Sequence, residues 1–364
     1  GAKLQEKFST LPDLVQIAGF WFPRSLLVDV NLGYLNLAEA VLEVASGGPL
    51  NTRAILDQIE LPTDVNIKLT EFSMNLALQE DPRFDEVGPS GEILWFLNRL
   101  EPKEVQNPPV QLRYQPTEMD LSKAEGSLRE LNKLVYDEME PFGDLPSKEN
   151  EIAVSLIYPH WAAGTIPLSQ SISRLFPSAY EAPRVRFTFI DADTGKAFPG
   201  WVVRPYRYVY GLKDWYQEMN LIPGALFLIK RGNKPGEVII QAFKKRVFKE
   251  WIRTILVGTD GGFVFTMLKQ QISNDYDDRM VTAIPDREAV EKLWENQSRN
   301  RTSLDKVVLT VFRELMKLSP QGHVHAQELY AAVNVVRRCP PSCILGILHN
   351  HPQISPLGNL YYRL

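Results

Sequence analysis

The 364 residues are 44% hydrophobic and 23% charged with a formal balance of −4, which excludes general disorder and is long enough for two or three domains, each with its own core. No apolar run approaches the ~20 residues that span a bilayer, and no basic, apolar, small-residue leader opens the chain, so a cytoplasmic protein without membrane contact is expected. Cys339 and Cys343 are the only cysteines, which excludes a disulfide framework, and Gly1-Ala2 reads as a cloning remnant.

A helical lead-in carrying Phe20, Trp21 and Phe22 is predicted first, followed by a helix over residues 37–45 that stops at Ser46-Gly47-Gly48. Further helices are predicted over 52–58 and 65–79, and the Asp81-Pro82 run then leads through Ser90-Gly91 into the apolar strand 93–97. Three helices and a hairpin predict a winged helix over residues 1–101, with an N-terminal helical extension. Residues 102–150 read as a linker rich in proline and polar residues, then an amphipathic helix over about 117–138. Runs of β-branched and aromatic residues separated by Asp193-Thr194-Gly195, the 232–236 turn and Asp260-Gly261-Gly262 predict an all-β barrel over 151–285.

The last segment, 286–364, reads as a connecting helix and then the first module's order again. Its helices are predicted over 304–318, 327–334 and 342–348, with a closing hairpin that ends Leu360-Tyr361-Tyr362-Arg363-Leu364. The expected fold class is a multidomain α+β chain: winged helix, β-barrel, winged helix.

Charge is segregated along this plan. Between Arg184 and Arg253 stand 14 cationic and six acidic residues, 14 − 6 = +8, whereas residues 28–101 carry four basic against 13 acidic, 4 − 13 = −9. The terminal module, 302–364, has six basic and three acidic residues, 6 − 3 = +3. A basic block with interleaved aromatics points to double-stranded DNA as partner, and its cations are expected to gather on one exposed face. The acidic module would be repelled by phosphate, so a protein partner or occlusion of the basic barrel is expected of it.

The central segment resembles the B3-type DNA-binding pseudobarrel of plant transcription factors and some restriction endonucleases. Thr165-Ile166-Pro167-Leu168-Ser169, Leu175-Phe176-Pro177, the strand and turn from Arg186 to Gly195, Trp201, Tyr208 to Tyr216 and Asn220 to Gly224 carry the likeness by their order. The resemblance implies two DNA-gripping arms, here Tyr158 to Gly164 and the shorter Arg204-Pro205-Tyr206-Arg207. It covers about a third of the chain. The first module is similar to the winged helix shared by the delta subunit of bacterial RNA polymerase and some chromatin proteins, through Gly48-Pro49-Leu50, Asp81-Pro82-x-Phe84-x-x-Val87-Gly88 and Trp95-x-Leu97. The terminal module follows that plan more loosely.

The candidate DNA contacts are His160, Trp161, Arg204, Tyr206 and Arg207 as reading arms, Lys244, Lys245 and Arg246 as a phosphate clamp, and Arg337 and Arg338 beside a terminal helix. Trp215, Tyr216 and Trp251 read as core. No cofactor, metal or catalytic residue is assigned. His323, His325, His349 and His351 near the two cysteines match no zinc spacing, and Cys343 starts an apolar helix face. A nuclease needs its acid and lysine two apart on one strand, and Glu237-Val238-Ile239 lacks the lysine; no phosphate-binding glycine loop is present. The expectation is a non-catalytic, regulatory DNA-binding protein. The alternatives are a protein-interaction scaffold or the recognition part of a nuclease whose catalytic domain lies outside this chain.

Overall fold

The computed structural model describes residues 8, 10–17, 20–59, 66–114, 119–139, 150–299 and 302–364, a mixed α+β fold with five sheets among them. Strand β1 (Leu14–Ile17) pairs antiparallel with β2 (Phe20–Pro23), so Phe20, Trp21 and Phe22 lie in a strand where a helix was expected. Three successive aromatics favour extended backbone, and Pro23 cannot donate within a helix. The Phe22 ring lies 5.1 Å from that of Phe72, which ties the pair to the first module.

Helix α1 (Leu32–Val44) starts where the Asn31 side chain accepts from the backbone N–H groups of Gly33 and Tyr34. Strand β3 (Leu50–Asn51), α2 (Thr52–Ile59), α3 (Ile67–Glu80), β4 (Phe84–Glu86) and β5 (Leu94–Leu97) follow, the strands ordered β3-β5-β4. Residues 60–65, including the expected start of the third helix, lie outside the described residues. Ala38, Leu42, Ile55, Met74, Leu78 and Trp95 form the core, and the Trp95 indole donates to Asn75 Oδ1 at 2.9 Å.

The predicted linker is not a free tether. It forms α4 (Lys103–Gln106), and Val105 and Leu112 are buried against Phe96, Trp201 and Tyr208, so it cements the first module to the central sheet. The helix expected over 117–138 shortens to α5 (Glu125–Leu131), with 117 and 118 outside the described residues. Beyond it the chain turns Asp137 and Glu138 inward, where both are buried.

Ten elements build the central unit: β6 (Glu151–Ser155), α6 (Tyr158–Ala163), β7 (Thr165–Pro167), α7 (Gln170–Ser173), β8 (Arg184–Asp191), β9 (Ala197–Val203), β10 (Tyr208–Tyr210), α8 (Lys213–Glu218), β11 (Leu226–Arg231) and β12 (Glu237–Ala242). Its seven strands are ordered β6-β11-β12-β8-β9-β10-β7, with only the β12 and β8 pair parallel. Burial alternates along β8, placing Val185, Phe187 and Phe189 in the core, as a strand with one buried face requires. The Asp193-Thr194-Gly195 turn joins β8 to β9, and the buried Asp191 carboxylate accepts from Asp193 N and Thr194 Oγ1.

Strands β13 (Lys244–Val257) and β14 (Phe263–Asn274) form a separate two-stranded ribbon. The chain ends with α9 (Arg287–Arg299), α10 (Leu304–Leu318), β15 (Val324–His325), α11 (Ala326–Val336), α12 (Pro341–Asn350), β16 (Ser355–Gly358) and β17 (Tyr361–Arg363). The largest core joins this module to the central unit: Ile157, Tyr158 and Ala162 pack in one cluster with Val308, Phe312 and Leu345. Among the described residues no helix is long and apolar enough to cross a membrane.

Candidate nucleic-acid interface

The ribbon is where exposed positive charge concentrates. From Lys244 to Trp251 its first strand is exposed except at half-buried Phe248, and it carries Lys244, Lys245, Arg246 and Lys249. A bulge between Lys244 and Phe248 takes the intervening residues out of the ladder, a device that re-aims side chains. Beyond it the register is regular: Lys249 faces Gln271 and Trp251 faces Lys269, and alternate residues share a face. The Lys269 ammonium sits 5.6 Å from the Trp251 ring centroid, and Trp251 is 56% exposed, not core as expected.

Lys244 pairs with Asp193 at 3.1 Å and Lys245 with Asp275 at 2.7 Å, both exposed bridges of the kind that hold cations only weakly. Arg246, Lys249 and Lys269 form no salt bridge among the described residues. Five cations and one accessible indole therefore share one ribbon, with Glu250 as its only acid over the paired stretch 244–251 and 267–274.

The arms behave differently from each other. Arg204, Pro205, Tyr206 and Arg207 are exposed in the turn between β9 and β10, with Arg207 at φ 56° and the Arg204 guanidinium donating to Ala182 O at 2.7 Å. Tyr206 stacks on Tyr208 with ring centroids 6.4 Å apart. The other expected arm, Tyr158 to Gly164, is no loop: it is helix α6, with Pro159 in its first turn and Gly164 closing it in the left-handed region at φ 68°. A Cβ on Gly164 would meet Lys213 N at 2.7 Å, so the cap and the start of α8 need glycine there. Tyr158, His160 and Ala162 are buried, and half-buried Trp161 donates its indole N–H to Leu221 O at 2.7 Å.

His160 and Arg338, both expected at a DNA surface, instead meet inside the molecule. Arg338, 1% exposed, donates to Asp137 Oδ1 at 2.7 Å and Glu138 Oε1 at 3.0 Å, and Asn334 Oδ1 accepts from it at 3.0 Å. The other Glu138 oxygen lies 3.0 Å from His160 Nε2, and His160 Nδ1 is 2.9 Å from Thr165 Oγ1. Burial alone would raise the Glu138 carboxyl, but Arg338 and His160 outweigh it and hold it well below the usual carboxylate range. Tyr330 completes the set by donating to Asp137 Oδ2 at 2.7 Å. The network joins the 132–139 segment, α6, β7 and α11, and a side chain consumed in it cannot reach a duplex. Arg337, half-buried, donates to Thr302 O.

No family model matches the chain, and neither a curated protein nor a solved structure is significantly similar to it.

The +8 block thus divides. Arg253 is buried and bonded to Thr282, Glu328 and Arg279 O, and Arg184 is bridged to Asp85 and Glu101 of the first module. Lys230 and Lys245 also meet acids from outside the block, Glu151 and Asp275. The expectation of one continuous cationic face is corrected accordingly: the clamp of Lys244, Lys245 and Arg246 is exposed and gains Lys249, Lys269 and Trp251, while Arg204 and Arg207 lie on a separate turn. Lys269 escaped the sequence reading because it lies 16 residues past the charge block's end, and only strand pairing brings it beside Trp251. Cys339 and Cys343 are buried and form no disulfide, the Cys343 Sγ lying 2.6 Å from the Tyr114 hydroxyl, and no cluster of three or more His, Cys, Asp or Glu that could hold a metal occurs among the described residues.

Proposed function

We propose that the protein binds double-stranded DNA without performing chemistry, and that the β13–β14 ribbon is the element that grips it. The single observation that carries this is that exposed Lys244, Lys245, Arg246, Lys249 and Lys269 share one ribbon with exposed Trp251, Lys269 resting on its ring. A two-stranded ribbon fits the major groove of B-DNA, about 12 Å wide, and lysines and arginines along it neutralise phosphates and release counterions. The burial of the first arm removes one of the two base-reading devices that the B3 resemblance implies, so contact is chiefly with the backbone and strongly salt-dependent.

The reading of the central unit as a B3-like barrel is supported by its seven strands and by the short helix α8 between β10 and β11, where the resemblance has one. In both end modules, three helices with a three-stranded sheet support the winged-helix reading. The acidic excess of the first module, 4 − 13 = −9, directs it toward a protein partner and away from phosphate.

Fluorescence anisotropy with a labelled duplex, read across a salt series, tests the proposal. Wild-type affinity should fall steeply with salt, and replacing Lys244, Lys245 and Arg246 by glutamine should lower the log–log slope by about 3, roughly one for each phosphate that is no longer neutralised. A salt-independent affinity, or a slope unchanged in the triple variant, would overturn it.

A further inference from the structure

Between the first module and the barrel lies a cavity of about 420 Å³, within the range of small-molecule sites. Phe96 enters it from the first module, and Phe198, Trp201 and Tyr210 wall it from the barrel. Two buried donors in its lining have nothing to bind among the described residues. Arg186 Nε is buried without a hydrogen-bond partner, and the Trp215 indole N–H, on a side chain only 2% exposed, is equally unpartnered. Arg186 makes no salt bridge with any described residue: its one hydrogen bond is a long 3.3 Å contact to Phe187 O, and its guanidinium rests 5.2 Å from the Trp201 ring centroid. Burial, with no carboxylate to oppose it, pulls this guanidinium down to about 10.

An isolated buried cation and a buried N–H without an acceptor are both costly, and a native protein keeps such groups where something else completes them. The missing partner is an acceptor with one negative charge. At the rim Lys196 is already paired with Glu218 at 2.6 Å, and Asp214 and Glu218 add negative charge that disfavours a dianion. The aromatic walls accept a flat apolar body, and a guanidinium matches a carboxylate in bidentate geometry.

We propose that this cavity is a binding site for a small planar organic monocarboxylate, held by Arg186 and the Trp215 N–H against the aromatic wall of Phe198, Trp201 and Tyr210, with Phe96 packed edge-on to Trp201 at 5.1 Å. Because Phe96 belongs to the first module, the ligand stabilises the docking of that module on the barrel. The site is separate from the ribbon and does not depend on the DNA-binding reading.

Isothermal titration calorimetry of the full chain with 2-naphthoate, and with 2-naphthamide as its neutral counterpart, provides the test. The carboxylate should bind at least tenfold more tightly than the amide and raise the thermal midpoint. Arg186→Met should abolish that preference and, by removing an unpaired buried charge, melt no lower than wild type without ligand. Trp215→Phe, which removes the N–H together with the pyrrole ring of the indole, should weaken 2-naphthoate severalfold, and it keeps the test open should Arg186→Met not fold. Equal binding of acid and amide, no binding of either, or an acid preference that survives both substitutions would overturn the assignment.

Discussion

The central seven-stranded sheet is joined to its two end modules by the same chemical device, an arginine between two carboxylates, yet the two joints are built to different standards. At the C-terminal joint Arg338 meets Asp137 and Glu138, and the surrounding oxygens are served by Tyr330 and His160 within a large shared core. At the N-terminal joint Arg184 meets Asp85 and Glu101, but Glu101 Oε1 finds no hydrogen-bond donor among the described residues, Asp85 Oδ2 has only a 3.3 Å ion-pair contact with Arg184, and the core there is small. Burial and then the neighbouring Asp85 push the Glu101 carboxyl up to about 8, and burial pushes Glu86, next to Asp85 in β4, to about 7. Arg338 Nε is itself unpartnered, but all four oxygens of Asp137 and Glu138 have donors; carboxylates so served fix a joint, whereas under-served ones leave it responsive to protons and, through the adjoining cavity, to ligand.

The largest effect expected from this difference is at the satisfied joint. Arg338→Met strands two buried carboxylates and should cost about 3–5 kcal/mol in urea unfolding; a cost under about 1 kcal/mol would put the two joints on a par. Next, Tyr330→Phe removes one donor from Asp137 and should cost about 1–3 kcal/mol.

The N-terminal joint should reveal itself through pH. Glu101 and Glu86 bind protons more tightly folded than unfolded, so stability is greatest below the ordinary value of 4.5 and falls as pH rises toward about 8. The expected slope for Glu101 is about 1 kcal/mol per pH unit near neutrality, and Glu101→Gln should remove that component. A thermal midpoint that rises over this window, or a slope unchanged in the variant, would contradict the picture.

Much of the scaffold was legible in the sequence because periodicity is local. Helix α10 was placed to its ends, α11 and α12 to within two residues, and the three turn signals of the central segment fall between strands as read. What was not legible depends on distant partners. His160 and Arg338 look like surface groups until the chain brings Glu138 and Asp137 to them from 22 and 201 residues away, and no local pattern announces that. The aromatic run at Phe20 gave no period to separate strand from helix, and Trp251, read as core, is exposed because its ribbon leaves that face uncovered. The basic triplet at Lys244 was visible at once, whereas Lys269 joins it only through strand register.

Whether the ribbon is the gripping element is decided most simply by hydrogen exchange of the full chain, with and without a DNA duplex at low salt. New protection is expected along residues 244–251 and 267–273, with α6 unchanged because it is already buried. Protection confined to the Arg204 to Arg207 turn, with the ribbon exchanging as before, would contradict that assignment.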